Sequence, residues 1–218
     1  MAKYNFLGIP RSGSQAILQW ILSQIDNVKF YPRLPEEPIE TEYSGNTLIR
    51  YEDIQLSKYR DENNGDVIMI GMLRNPWNMM ASQVQWGLYN VPLYKRKKRA
   101  IQIWNEYYDE YITQESDIIF IIYDKWFTDI EYRKGISMKL GLTFSDEKFE
   151  NVPRAGSGSS FDGIMYDGKA QQMNVLNRYK EVNKWSMEEF KKSDDGQDLK
   201  NKWNHICDLE EIKELKII

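Results

Sequence analysis

Gly8-Ile9-Pro10-Arg11-Ser12-Gly13-Ser14-Gln15 brings together groups that can hold a phosphate. Gly8 and Gly13 keep the G-x-x-x-x-G spacing of a phosphate-binding loop, but Ser14 and Gln15 stand where that motif has Lys and Ser/Thr. No lysine therefore reaches a β- or γ-phosphate, and no hydroxyl sits at the usual magnesium position. The donors that remain are the guanidinium of Arg11, the hydroxyls of Ser12 and Ser14, and the backbone N–H groups of Ser12, Gly13, Ser14 and Gln15. Such a set suits a nucleotide whose transferred group needs little help from a metal. A tight turn with no ligand accounts for Gly13 but not for Arg11, Ser12 and Ser14 together.

A second cluster is Arg74-Asn75-Pro76 with Ser82. Asn75 is a good helix N-cap and Pro76 a favoured first helical residue. Ser82 then returns to the face of Asn75 after roughly two helical turns. Arg74 and Ser82 can close on one anion from two sides, or serve as a salt-bridging arginine and a surface serine. Glu52 and Asp53 follow the strand-like run at 47–51, and a Gly/Ser-rich stretch at 153–161 contains Arg154, Ser159 and Ser160. That stretch is either a flexible loop or a lid whose N–H and hydroxyl groups fold over a phosphate.

These groups need a scaffold, and hydrophobic patterning supplies one. An apolar strand over 4–7 runs through the loop into a helix whose face is Ile17, Leu18, Ile21, Leu22 and Ile25. Strand followed by Gly-bearing turn and helix presents first-turn N–H groups, and the positive end of the helix dipole, to an anion. Three prolines over 30–38 make an extended connector, and 61–66 a surface turn. The wholly apolar runs 67–73 and 118–122 fit parallel strands buried on both faces. Helices are predicted over 129–140, stopping at Gly141, and over 169–184, with Met173, Leu176 and Tyr179 along one side. Ser186-Met187-Glu188-Glu189 fits a capping box. The basic run 95–99 reads as a solvated helix face, or as an attractor for an anionic substrate. Strands alternating with helices predict a three-layer α/β/α fold around a central parallel sheet, P-loop NTPase-like, in one domain over 1–218. Ligands in such sheets bind beyond the carboxyl ends of the strands, where both anion clusters fall.

Composition narrows the function classes. A net charge of −4 argues against general nucleic-acid binding. No apolar run reaches the length of a membrane span, and the first strand begins where a signal peptide would lie. A single cysteine, Cys207, favours a reducing compartment such as the cytoplasm, and Cys207 with His205 is too small a set for a metal site.

Pro10-Arg11-Ser12-Gly13-Ser14 resembles the 5′-phosphosulfate loop of sulfotransferases that use 3′-phosphoadenosine 5′-phosphosulfate (PAPS). Arg74-Asn75-Pro76, with Ser82 after it, resembles that family's 3′-phosphate site. Ile121-Ile122-Tyr123-Asp124, followed by a helix closing on Leu140-Gly141-Leu142, is similar to its later strand and helix. The resemblance runs over residues 4–180 or so, and two such motifs in order are more specific than either alone. Gln15 replaces the second loop hydroxyl, and Ala16 stands where some members carry a tryptophan against adenine. No Arg-Lys-Gly element stands near the C-terminus, and Arg154 with Ser159 and Ser160 is the substitute the sequence offers.

The resemblance implies PAPS as sulfuryl donor, no metal, and a small-molecule, glycan or peptide acceptor bearing a hydroxyl or amine. It assigns Arg11, Ser12, Gly13, Ser14 and Gln15 to the 5′ end of the donor, and Arg74 and Ser82 to its 3′-phosphate. A base must take the acceptor proton. The family uses a histidine after its second strand or a glutamate; with His205 remote, Glu52 or Asp53 is the candidate here. The alternatives are a P-loop nucleotide kinase using Mg-ATP and an inactive module that keeps the fold to bind an anion.

Overall fold

The computed structural model describes residues 1–32, 44–59, 67–85, 93–154, 158–182 and 185–217. The surface turn expected at 61–66 and most of the connector expected after Tyr31 lie outside these residues.

Five parallel strands form the centre, in the order β2-β3-β1-β4-β5. They are β1 Lys3–Gly8, β2 Val28–Tyr31, β3 Asn46–Glu52, β4 Val67–Leu73 and β5 Ile119–Ile122. Side chains alternate across a strand, so each strand feeds two cores. Tyr4, Phe6, Leu48, Ile70, Met72 and Ile121 face one core with α1 Ser14–Leu22, α5 Tyr123–Thr128 and α6 Ile130–Lys139. Leu7, Ile49, Tyr51, Leu73 and Ile122 face the other. That side is covered by α3 Pro76–Gln85, α4 Leu93–Thr113 and α9 Asp194–Leu209. The expected three-layer α/β/α arrangement is therefore present. The short helices α2 Leu56–Tyr59, α7 Arg178–Glu181 and α8 Trp185–Lys192 complete it. No helix among the described residues is long and apolar enough to cross a membrane.

The register brings the strand ends together. Gly8 pairs with Glu52 across β1 and β3, and Leu7 pairs with Gly71 across β1 and β4. The turns that follow these strands thus share one edge of the sheet.

The structure departs from the sequence expectations in several elements. Phe30 and Tyr31 belong to the edge strand β2, so 47–51 is the core of the third strand, not the second. The expected helix over 169–184 is broken into a 3-10 turn at Ala170–Gln172 and the single turn α7. Between them the carbonyls of Val175 and Leu176 accept side-chain donors from Arg74 and Asn78. Tertiary hydrogen bonds therefore hold backbone groups that a continuous helix would have used.

Ser186 is the second residue of α8, inside the helix and not at the position before it. The cap belongs to Ser193, whose hydroxyl accepts from Gly196 N at 3.2 Å and starts α9. The hydrophobic stripe Leu199, Trp203, Ile206 and Cys207 seats α9 in the core. Each such fully buried side chain contributes about 1.5–3 kcal/mol of transfer free energy. His205 sits at the rim of that helix, with its Nδ1 2.8 Å from the Tyr108 hydroxyl.

Candidate active site

The turn after β1 is built by its own hydrogen bonds. Ser12 N and Ser12 Oγ both donate to Ile9 O, at 3.1 and 2.6 Å. Ser12 is buried and forms no part of the cavity wall, so its hydroxyl closes the loop where the sequence suggested a ligand donor. Gln83 Nε2 donates to Pro10 O at 3.1 Å and ties the loop to α3.

Gly13 precedes α1 with φ 94°, in the left-handed region, and a Cβ there would lie 2.4 Å from the Tyr123 ring. Glycine is required at this position twice over, by backbone conformation and by space. No side chain caps α1, and Gly13, Ser14 and Gln15 at its N-terminus line the cavity. Arg11 adopts φ 65°, a conformation costing of order 1–3 kcal/mol for a residue with a side chain.

A cavity of about 520 Å³ opens beyond the strand ends. Its walls bring together Arg11, Gly13, Ser14 and Gln15 from the loop, Arg74 and Ser82 from the second cluster, and Glu52 from the end of β3. Ser159, Ser160 and Arg178 cover it from the later part of the chain. The two anion clusters read from the sequence therefore share one cavity.

Four guanidinium groups line it: Arg50, which pairs with Glu52, and three that converge from separate segments, Arg11, Arg74 and Arg178. Arg11 Nε donates to Ser160 Oγ at 2.9 Å, and Nη2 reaches the same oxygen. Arg74 stacks on the Tyr123 ring at 4.5 Å and donates from Nη2 to Val175 O at 2.9 Å. Its Nε is buried with no hydrogen-bond partner among the described residues. Arg178 donates from Nη1 to Ser159 Oγ at 2.7 Å and pairs with Asp162 Oδ2 at 2.6 Å. Burial pushes the Arg11 pKa down; Glu52 opposes the shift and Arg74 adds to it. Burial also lowers that of Arg178, and Arg74 lowers it further. Mutual repulsion in a partly desolvated site is relieved when an anion binds among the three.

Arg178 was not legible as a site residue, because no local motif surrounds it. Arg154, the cation expected in that role, is exposed and stands outside the cavity wall. Residues 155–157 of the Gly/Ser-rich stretch lie outside the described residues. Beyond them, Ser159 and Gly163 pair in an antiparallel bridge, so this part of the stretch is an ordered strap.

The two candidate bases part company. Glu52 lines the cavity, with its side chain 32% exposed and paired with Arg50 at 2.9 Å. Asp53 has φ 66° and turns away to pair with Arg99 at 2.8 Å. It is absent from the cavity wall, so its expected catalytic role is corrected to closing the turn, with its N–H donating to Gly8 O at 3.0 Å.

Behind the site, Asp124 is 1% exposed and accepts from Asn75 N at 2.9 Å. Burial raises its pKa to about 6, against the opposing pull of Arg74 and hydrogen bonds from Asn75 and Asn78. A carboxyl that titrates near 6 when folded and at its ordinary 3.8 when unfolded favours folding while protonated. That contribution is full below the lower value and is lost as pH rises through the upper one. Asp124→Asn keeps an acceptor for Asn75 N and removes the buried charge. It should stabilise the protein at pH 7 relative to its effect at pH 4, by up to about 3 kcal/mol. Denaturant melts at the two pH values measure this; an equal effect at both would mean that Arg74 fully compensates the ion.

Among the described residues no group of three or more His, Cys, Asp or Glu is arranged to hold a metal ion. No family model matches the chain, and no curated protein matches it. Solved structures do. The fold is similar to that of the mouse sulfotransferase SULT7A1 complexed with PAP, with a TM-score of 0.55 and 12% identity. The match covers 92% of this chain and 88% of that one. It is also similar to the sulfotransferase domain from the curacin biosynthetic pathway, with a TM-score of 0.51 and 11% identity, over 93% of this chain and 97% of that one. The chain has the sulfotransferase fold.

Proposed function

We propose that this protein is a sulfotransferase that takes a sulfuryl group from PAPS and gives it to a hydroxyl or amine acceptor. The convergence of Arg11, Arg74 and Arg178 on one cavity, beside an uncapped helix N-terminus, carries the proposal. A donor with phosphate at both ends of a ribose offers two anions to such a site. The unpartnered Nε of Arg74 and the glycine N-cap of α1, which brings no side-chain acceptor, are consistent with an anion at each.

In this assignment the N–H groups of Gly13, Ser14 and Gln15 hold the 5′-phosphate, while Arg74, Ser82 and Arg178 hold the 3′-phosphate. Bound PAPS supplies an activated sulfuryl group on a phosphate leaving group. Arg11 lies between the loop and the strap and balances the negative charge that grows on the leaving oxygen. Glu52 takes the proton as the acceptor oxygen or nitrogen bonds to sulfur and the sulfur–oxygen bond to phosphate breaks. Phe30 and Pro32 line the same cavity as Glu52, and in this assignment they form part of the acceptor side. Small molecules, glycans and peptides all remain candidate acceptors.

Calorimetry tests the donor. Adenosine 3′,5′-bisphosphate should bind at least about tenfold tighter than ATP, a gap of about 1.4 kcal/mol, and magnesium should change its affinity little. Tighter ATP binding that depends on magnesium would make the protein a nucleotide kinase instead. Transfer of radiolabelled sulfate from PAPS to a panel of acceptors separates an enzyme from a binding module.

A further inference from the structure

Arg178 belongs to a segment with little regular structure of its own, for α7 has four residues and its preceding Asn177 makes no capping bond. Its placement must come from outside, and α3 supplies it. Asn78 is fully buried. Its Nδ2 donates to Leu176 O at 2.7 Å, and its Oδ1 accepts from Tyr179 N at 3.2 Å. These two bonds grip the chain on either side of Arg178. Asn78 N donates to Asn75 Oδ1 at 3.1 Å, which fixes the amide within the first turn of α3. Arg74 adds a third tie to the same segment through Val175 O. Ser82 is one helical step further along the face of α3 that carries Asn78.

We propose that Asn78 is the positioning residue that registers Arg178 against Arg74 and Ser82, so that the arginines act as one clamp on a single phosphate. A side-chain amide has a donor and an acceptor on one planar group, and this segment presents a carbonyl and an N–H to match. Aspartate lacks the donor, and serine cannot span both partners. Asn78 itself stays outside the cavity wall. The clamp rests on the assignment of Arg74 and Arg178 to the 3′-phosphate.

The experiment compares adenosine 3′,5′-bisphosphate with adenosine 5′-monophosphate by calorimetry. Asn78→Ala should weaken bisphosphate binding by about tenfold, through loss of its two buried hydrogen bonds to the Arg178 segment, and leave the monophosphate within about twofold. In an Arg178→Ala background the same change should cost less than about twofold, because the residue it positions is gone. Equal losses for both ligands, or additive losses in the double variant, would overturn the proposal. If Asn78→Ala does not fold, Asn78→Ser is read in the same way. A wild-type protein with no preference for the bisphosphate would overturn the donor assignment itself. A wild-type preference that survives Asn78→Ala would overturn only the clamp.

Discussion

Arg11→Ala is expected to lower turnover by about 10²–10³-fold, while binding of adenosine 3′,5′-bisphosphate weakens far less. The difference between the two effects follows from where charge grows. Sulfuryl transfer leaves negative charge on the oxygen between phosphorus and sulfur, and a cation aimed there counts for more in the transition state than in the bound ground state. Arg11 has the placement for this. Its Nε and Nη2 are anchored on Ser160 Oγ, and its guanidinium is desolvated enough for burial to lower its pKa. The left-handed backbone at Arg11 holds the residue at the cavity, and alanine leaves that backbone demand in place. Arg11→Lys keeps the charge but not the forked donor pair, so its turnover should fall between wild type and alanine. Single-turnover rates with saturating PAPS, set beside calorimetric affinities, separate the two effects. A variant that loses affinity and keeps its rate would make Arg11 a binding residue only.

The loop that carries Arg11 was readable because its geometry is local. Gly8, Gly13 and the helical stripe after them lie within one stretch of chain, and a strand-turn-helix needs no distant partner to be recognised. The corner at Arg74-Asn75-Pro76 is local in the same sense: Asn75 Oδ1 accepts from Trp77 N and Asn78 N, the hydrogen bonds that its N-cap position implies. Side-chain direction was less readable. Ser12 and Ser14 look equivalent in the sequence, yet Ser12 donates back to Ile9 and Ser14 lines the cavity. Glu52 and Asp53 are adjacent, and only the positive φ at Asp53 turns one of them away.

Arg178 was hidden for a different reason. Its partners Ser159 and Asp162 reach it through tertiary contacts, and the backbone on either side of it, which a helix over 169–184 would have used, is held by Asn78 and Arg74. Likewise α9 carries a helical stripe in Leu199, Trp203, Ile206 and Cys207, but its polar remainder masked the period. Local patterning thus found two clusters that share the cavity, whereas the placement of Arg178 depends on how distant segments pack.

Glu52→Gln is expected to reduce turnover by about 10²–10⁴-fold with affinity for the bisphosphate preserved. The register places Glu52 opposite Gly8, where the loop begins, so its carboxylate stands at the same sheet edge as Arg11 and the loop. It lines the cavity that Phe30 and Pro32 also line, and its partial exposure leaves an approach for an acceptor. Arg50 pairs with it at 2.9 Å and fixes its orientation. Glutamine keeps the shape and can still accept a hydrogen bond, so the substitution deletes proton acceptance and little else. Asp53→Asn should leave turnover within about twofold, because a distant surface pair with Arg99 contributes little to either binding or chemistry. The two variants are to be measured with the same acceptor under PAPS saturation, and over a range of acceptor pKa. Loss in Glu52→Gln should shrink as the acceptor becomes more acidic, since a phenol that ionises readily needs less help from a base. A uniform loss across acceptors would assign Glu52 to orienting the acceptor, and near-normal turnover in Glu52→Gln would place the base on another segment.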